Sequence, residues 1–174
     1  MEAFPLQSDK FPYVIPAFIE IAKGSNIKYE WNDEHKTLIL DRILHSSVMY
    51  PENYGFIPQT LCDDGDPLDV LVMSNKVLQP GTIVYVRPIC HMDMEDEKGN
   101  DEKLLAIVDS EPDFHHVRTI DDIAKHKFAE ISEFSKTYKN LEPNKWSKVK
   151  DWSSSVDTMR LIRTTHDNWS KKQN

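Results

Sequence analysis

Two hydrophobic periodicities divide this chain, and their order limits what it can fold into. Through the first two thirds, short apolar runs rich in β-branched and aromatic residues are separated by turn formers, the pattern of strands. Strands are predicted at Val14–Ile21, Ile27–Trp31, Thr37–Ile43, Val70–Met73, Thr82–Pro88 and Lys103–Val108, with a short one at Lys145–Lys150. The turn residues Lys98-Gly99-Asn100 predict a hairpin before Lys103. In the last third the spacing turns helical. Phe128, Ile131, Phe134 and Tyr138 share one helix face, and Pro143 lies beyond its end. A second helix should start in Ser153-Ser154-Ser155, where Ser154 and Asp157 can cap reciprocally. Its buried stripe would be Val156, Met159, Ile162 and Trp169. Strands first and helices last predict an α+β fold around a small antiparallel barrel. At 174 residues the chain suits a single domain, residues 1–174.

Several function classes are excluded. A formal charge of -8 lacks the basic footprint of a general nucleic-acid binder. The longest apolar stretch, Val14 to Ala22, is interrupted by Glu20 and too short to span a bilayer, so no membrane partner is expected. No secretory signal pattern opens the chain, and Cys62 and Cys90 are too far apart for a local metal or redox pair. A reducing, cytoplasmic setting is expected. The glycines (24, 55, 65, 81 and 99) are too scattered for a phosphate-binding loop, and no nucleophile elbow or H-E-x-x-H occurs. If an anion binds, side chains or bridging cations must hold it.

The segment Asp63-Asp64-Gly65-Asp66-Pro67-Leu68-Asp69-Val70 carries most of the chemistry. Gly65 allows a sharp turn and Pro67 fixes φ, so Asp64, Asp66 and Asp69 can converge at a strand entrance. Two carboxylates about 5 Å apart repel by roughly 3 kcal/mol at an effective dielectric near 20. Such convergence calls for a cation, and hard oxygen donors suit magnesium or manganese. A solvated acidic turn is the ordinary alternative. A second acidic segment, Asp93 to Glu102, contains Asp96 and Asp101; alone it would be a solvated hairpin tip.

Basic and aromatic residues accompany the acids. Lys28 and Glu30 share one strand face, where a surface ion pair would explain them. Arg42 ends the face of Leu38 and Leu40, either as a strand-end salt bridge or as an anion ligand. Tyr50 to Phe56 reads as a loop rich in aromatics. Tyr138-Lys139 closes the first helix, where a lysine also complements the helix dipole.

Taken in order, these segments resemble the soluble family I inorganic pyrophosphatases of bacterial type. The likeness runs from about Ile15 to Trp152. It rests on Asp64-Gly65-Asp66-Pro67-Leu68-Asp69-Val70, a specific signature. Around it lie Glu20, Lys28-Tyr29-Glu30, Asp41-Arg42, Tyr50-Pro51 with Tyr54-Gly55, Gln79-Pro80-Gly81 and Arg87-Pro88. Asp96, Asp101, Lys103, Tyr138-Lys139 and Lys145-Trp146 complete it. The resemblance implies an OB-like five-stranded antiparallel barrel flanked by two helices, with the site in its mouth. It implies hydrolysis of pyrophosphate to two orthophosphates by metal-activated water, with several Mg2+ ions per site and Mn2+ or Zn2+ as substitutes. By the same resemblance Asp64, Asp69 and Asp101 hold the first metal, while Asp96 and Glu20 help hold others. Lys28, Arg42, Tyr54, Lys103, Tyr138 and Lys139 grip the phosphates, and Asp66 orients or deprotonates the water. The compact length resembles that of the bacterial members, and by that resemblance alone a homo-hexamer is implied. A cation buffer and an OB-type single-strand binder are the rival readings. The first leaves Lys28, Arg42, Lys103 and Lys139 unexplained, and the second lacks a basic groove.

Overall fold

A computed structural model describes residues 4–173. Nine strands and two α-helices follow one another: β1 (Ile15–Ile21), β2 (Ile27–Asn32), β3 (Thr37–Ile43), β4 (Asn53–Ile57), β5 (Leu68–Met73), β6 (Ile83–Asp96), β7 (Gly99–Asn100), β8 (Lys103–Val108), α1 (Lys125–Thr137), β9 (Ser147–Ser153) and α2 (Ser155–Gln173). Five of the strands close a ring in the order β1-β4-β5-β8-β6, with β6 returning to pair β1. The expected α+β barrel is present, but its sheet is mixed. β5 and β8 run parallel, Asp69 opposite Lys103, because the long β6 intervenes in the chain and lies antiparallel to β8. β2 and β3 form a separate two-stranded sheet, and β9 lengthens the barrel sheet by pairing β6.

The barrel strands are buried on both faces, which gives apolar runs rather than clean alternation. Successive residues serve two cores. Val70 and Val72, with Leu104 and Ala106, join Ile15, Ala17, Ile19 and Ile162 of α2. Leu71 and Met73, with Leu105 and Ile107, join Ile89, Met92 and Ile131 of α1. Ser154 Oγ caps α2 by accepting the Asp157 amide at 3.3 Å, while its hydroxyl, in place of its amide, donates to the Asp157 carboxylate at 2.8 Å. Of the predicted α2 stripe, Ile162 is fully buried and Met159 packs on the first core, whereas Val156 is 68% exposed.

Two predictions fail locally. Tyr50 to Phe56 is not simply a loop: Asn53–Ile57 is β4, a barrel strand between β1 and β5. Its Gly55 and turn-forming neighbours mask the strand pattern, and tertiary pairing overrides weak propensity. β6 runs to Asp96 instead of stopping at Pro88. Register shifts between Pro88 and Cys90 and between Met92 and Met94 let one strand bend around the barrel, pairing β1 first and β8 and β9 later.

Candidate active site

The site grows from strand starts and strand ends. Parallel pairing sets the first residues of β5 and β8 side by side, so Asp69 faces Lys103. The loop before β5 is tied by amide bonds from Cys62 to the Asp66 carbonyl (2.8 Å) and from Gly65 to the Cys62 carbonyl (3.1 Å). Asp64 Oδ1 accepts from the Asp66 amide at 3.0 Å, and Gly65 takes φ +91° to make the turn. The β6–β7 hairpin brings Asp96 at the end of β6, with Asp101 following β7 and bonded through its amide to the Met94 carbonyl. A bulge brings Glu20: Ile19 lies opposite Gly55 and Ile21 opposite Tyr54, so Glu20 is the extra residue of β1. Its carboxylate accepts the Trp31 amide at 2.7 Å. β2 and β3 set Lys28 opposite Arg42, and the end of α1 supplies Tyr138 and Lys139.

All twelve residues expected from the sequence line one cavity of about 630 Å³: Glu20, Lys28, Arg42, Tyr54, Asp64, Asp66, Asp69, Asp96, Asp101, Lys103, Tyr138 and Lys139. A second concavity of about 760 Å³ between the 48–51 loop and α1 is lined by Val48, Met49, Pro51, Ala129 and Phe134, among others. Its charged lining residues are Lys23, His126, Glu130 and Glu133, and none of the twelve expected residues reaches it, so the larger volume does not mark the site.

In the cavity each of Lys28, Arg42, Lys103 and Lys139 is parked on a carboxylate. Lys103 Nζ bridges Asp69 and Asp101, the latter at 2.5 Å, and Tyr54 Oη donates to Asp69 Oδ2 at 2.7 Å. Lys139 pairs with Asp96 at 2.6 Å and with Glu97 at 3.5 Å. It is buried in the mouth, more than a surface complement to the helix dipole. Lys28 pairs with Glu30 and Asp41, so the ion pair expected on that strand face exists, within the cavity wall. Arg42 donates from Nε to Asp41 at 2.7 Å and from Nη1 to Glu142. Asp66 is the open member: its side chain is 62% exposed, with Lys98 Nζ at 3.4 Å.

Burial and pairing set the protonation states. Burial pushes Glu20 up to about 8, against the pull of the Trp31 amide and with help from Asp69. Burial also raises Asp64 and Asp101, in the latter despite Lys103. Burial disfavours the Lys103 ammonium, but Asp69, Tyr54 and Asp101 outweigh it and hold its pKa well above the usual lysine value. Burial tends to raise Asp96, yet Lys139 and the Lys98 amide hold it below the usual carboxylate range. Burial raises the phenols of Tyr54 and Tyr138, which keeps them as donors.

The donor chemistry fits a hard divalent cation, because the acids offer oxygens only and outnumber what the lysines neutralise. Among the described residues no three acid, thiol or imidazole groups already converge on one point. The Lys103 ammonium, wedged between Asp69 and Asp101, takes the place of positive charge there. Glu30, Asp41, Glu97, Lys98 and Glu142 also border or brace this cavity and received no catalytic, substrate or metal role from the sequence. Glu30 and Asp41 had a signal in the family likeness, and Glu142 had one in its place three residues beyond Lys139 in the same turn.

A profile of the inorganic pyrophosphatase family matches residues 17–170. The inorganic pyrophosphatase of Saccharolobus solfataricus is 45% identical over 156 residues, 88% of this chain and 91% of that protein. That of Helicobacter pylori is 47% identical over 146 residues, 83% of this chain and 84% of that protein. The crystal structure of the inorganic pyrophosphatase from Thermus thermophilus superposes with a TM-score of 0.93 at 39% identity, covering 95% of this chain and 97% of that one. Barrel and likeness together define a hydrolase of the OB-like type. Within that class, this chain belongs to the soluble family I inorganic pyrophosphatases.

Proposed function

We propose that this chain hydrolyses pyrophosphate to two phosphates with magnesium as its cofactor, using the twelve residues of the barrel mouth. The observation that carries the reading is their meeting in one cavity, acids and bases interleaved. Asp64, Asp69 and Asp101 would hold one metal ion, with Asp96 and Glu20 helping to hold others. Bound magnesium supplies positive charge against the phosphate oxygens and makes a water easier to deprotonate; Mn2+ or Zn2+ are the substitutes expected to support it.

The chain's own groups do the rest. Asp66 is exposed to the cavity, so its carboxylate can orient a water and accept its proton. Lys28, Arg42 and Lys139 face the substrate from β2, β3 and the end of α1, and offset charge on the departing phosphate. Tyr54 and Tyr138 stay neutral and donate hydrogen bonds without adding charge. Lys103 holds Asp69 and Asp101 near each other, and would be free to grip a phosphate oxygen were a cation to satisfy those acids. Neither cysteine serves as a nucleophile: burial pushes both thiols up, Cys90 to about 12.

The reading includes one domain over residues 1–174 and a homo-hexamer in the cytoplasm, with no nucleic-acid or membrane partner. The assembly rests on the likeness of the chain's compact length to the bacterial-type members, and light scattering at micromolar protein tests it. Among the described residues no helix is long and apolar enough to cross a membrane. The deciding experiment is phosphate release from pyrophosphate, ATP and a sugar phosphate, in magnesium and then in excess EDTA. Pyrophosphate should be turned over far faster than the others, with activity lost to the chelator and restored by magnesium. Full activity in EDTA would overturn the metal-dependent reading.

A further inference from the structure

Arg42 lies on a sheet that shares no strand ladder with the barrel: β2 and β3 pair only with each other, and Glu20 of β1 meets them through the Trp31 amide. A guanidinium on such a hairpin needs a tether if it is to meet a phosphate in a fixed place. The tether comes from a hundred residues away. Glu142 Oε2 accepts from Arg42 Nη1, and Glu142 sits in the turn that closes α1, its amide bonded to the Lys139 carbonyl at 2.8 Å. Its side chain is only 3% exposed, while the Arg42 side chain retains 21%. Glu142 Oε1 is buried with no hydrogen-bond partner, and its other cation, Lys145, stands at 3.4 Å. A carboxylate buried this deeply is costly unless its cation stays in place.

We propose that Glu142 is a positioning residue, which fixes the Arg42 guanidinium in the mouth and sets the hairpin's cation against Tyr138 and Lys139 at the end of α1. The geometry says which part of Arg42 is fixed. A guanidinium has five N–H donors; one at Nε is used on Asp41 and one at Nη1 on Glu142, which leaves three for an anion. Asp41 fixes the Nε edge and Glu142 the Nη1 arm, so the remaining donors have one direction in which to point. Asp41 is on the hairpin with Arg42 and moves with it; Glu142 is in the turn that follows Tyr138 and Lys139, and so it sets the distance between the hairpin and the end of α1. The inference rests on the pyrophosphatase reading for its substrate.

A double-mutant cycle tests it on the full chain, with pyrophosphate and magnesium. The wild type is assayed first: no turnover of pyrophosphate would sink the functional reading, independently of Glu142. Glu142→Gln keeps the shape and removes the charge, and should lower kcat/KM about tenfold, the scale of coupling between residues in contact. In an Arg42→Lys background, where the second arm is gone, the same change should cost less than about twofold. A cost confined to the Arg42 background supports positioning through Arg42. An equal cost in both backgrounds, or no cost in either, overturns it. If the glutamine variant does not fold, Glu142→Asp takes its place in the cycle, since it keeps the charge and withdraws it by one methylene.

Discussion

Replacing Gly55 by alanine tests how the barrel aims the side chains of its mouth. Gly55 pairs with Ile19 across the β1–β4 ladder, at the bulge that turns Glu20 toward the mouth. A Cβ placed there would lie 1.8 Å from the Phe18 carbonyl oxygen, 2.8 Å from its carbon and 3.0 Å from Ile19 Cα. Ordinary contact begins near 3.4 Å, so the strands would have to separate by about 1.6 Å, the difference between 3.4 and 1.8. All three obstructing atoms are backbone, so no side chain can rotate away. β1 cannot retreat freely either, because Ile15 to Phe18 pair with β6 on the other edge. Overpacking typically costs 1–3 kcal/mol, and this site belongs at the top of that range, about 3 kcal/mol. At about 2–4 °C per kcal/mol for a chain of this size, the melting temperature should fall by roughly 6–12 °C. Where backbone and space permit, alanine for glycine stabilises by about 0.4–1 kcal/mol, so even the sign is diagnostic. Gly81→Ala is the control: Gly81 has φ +89° but nothing within 4 Å of an added Cβ, so it carries backbone strain without a clash. Its cost should be about 1–2 kcal/mol. Activity at a temperature where Gly55→Ala remains folded should also fall, because Glu20 and Tyr54 flank the displaced pair. A Gly55→Ala melting temperature within about 2 °C of wild type, or no lower than that of Gly81→Ala, would refute the close approach.

Two further predictions concern the acids themselves. Asp66→Asn should retain magnesium affinity and lower kcat about a hundredfold, since an amide is a poor proton acceptor, whereas Asp69→Asn should weaken magnesium binding by removing the charge shared by Tyr54 and Lys103. Calorimetric titrations giving the same affinity for both variants would contradict that division. In EDTA, Glu20 is neutral in the folded protein up to about pH 8 while the unfolded chain ionises it near 4.5. Its contribution to stability is therefore complete below pH 4.5 and is lost as pH rises through 8. Glu20→Gln cannot ionise, so it should gain on the wild type by a few kcal/mol between pH 5 and 9; a pH-independent difference between the two melting curves would count against the raised carboxyl.

What the sequence made legible follows from which interactions are local. Asp64, Gly65, Asp66 and Asp69 share a turn and a strand start, so spacing alone placed them together. Ser154 and Asp157 meet three residues apart, and the cap was visible for the same reason. The second acidic segment could not be read alone, because Asp96 and Asp101 gain their meaning from β5, which a parallel pairing sets beside β8. β4 was hidden because its strand character comes from pairing with β1 and β5, and its glycine is there for a backbone contact. The likeness to a family supplied roles for Glu20, Arg42 and Lys103 that no periodicity carries.

The parts still hidden after that share one property: they act on a functional group from a distant segment. Glu142 reaches Arg42 across a hundred residues, Lys98 reaches Asp66, and Glu97 joins Asp96 on Lys139. Each is a charged residue that a sequence reader would assign to solvent. In the folded chain they have a common consequence. Lysine and arginine side chains are long and lose rotamer freedom when fixed, and an anion that had to order four of them at binding would bind weakly. Here Lys28, Arg42, Lys103 and Lys139 are already held, each by at least two acids, before any anion arrives. The ordering entropy is lost on folding, where the two cores offset it, and the mouth is left with its donors aimed. The surplus of carboxylates, which for an enzyme of anions looks like the wrong sign, is therefore what keeps the cations in position while leaving oxygens for metal ions.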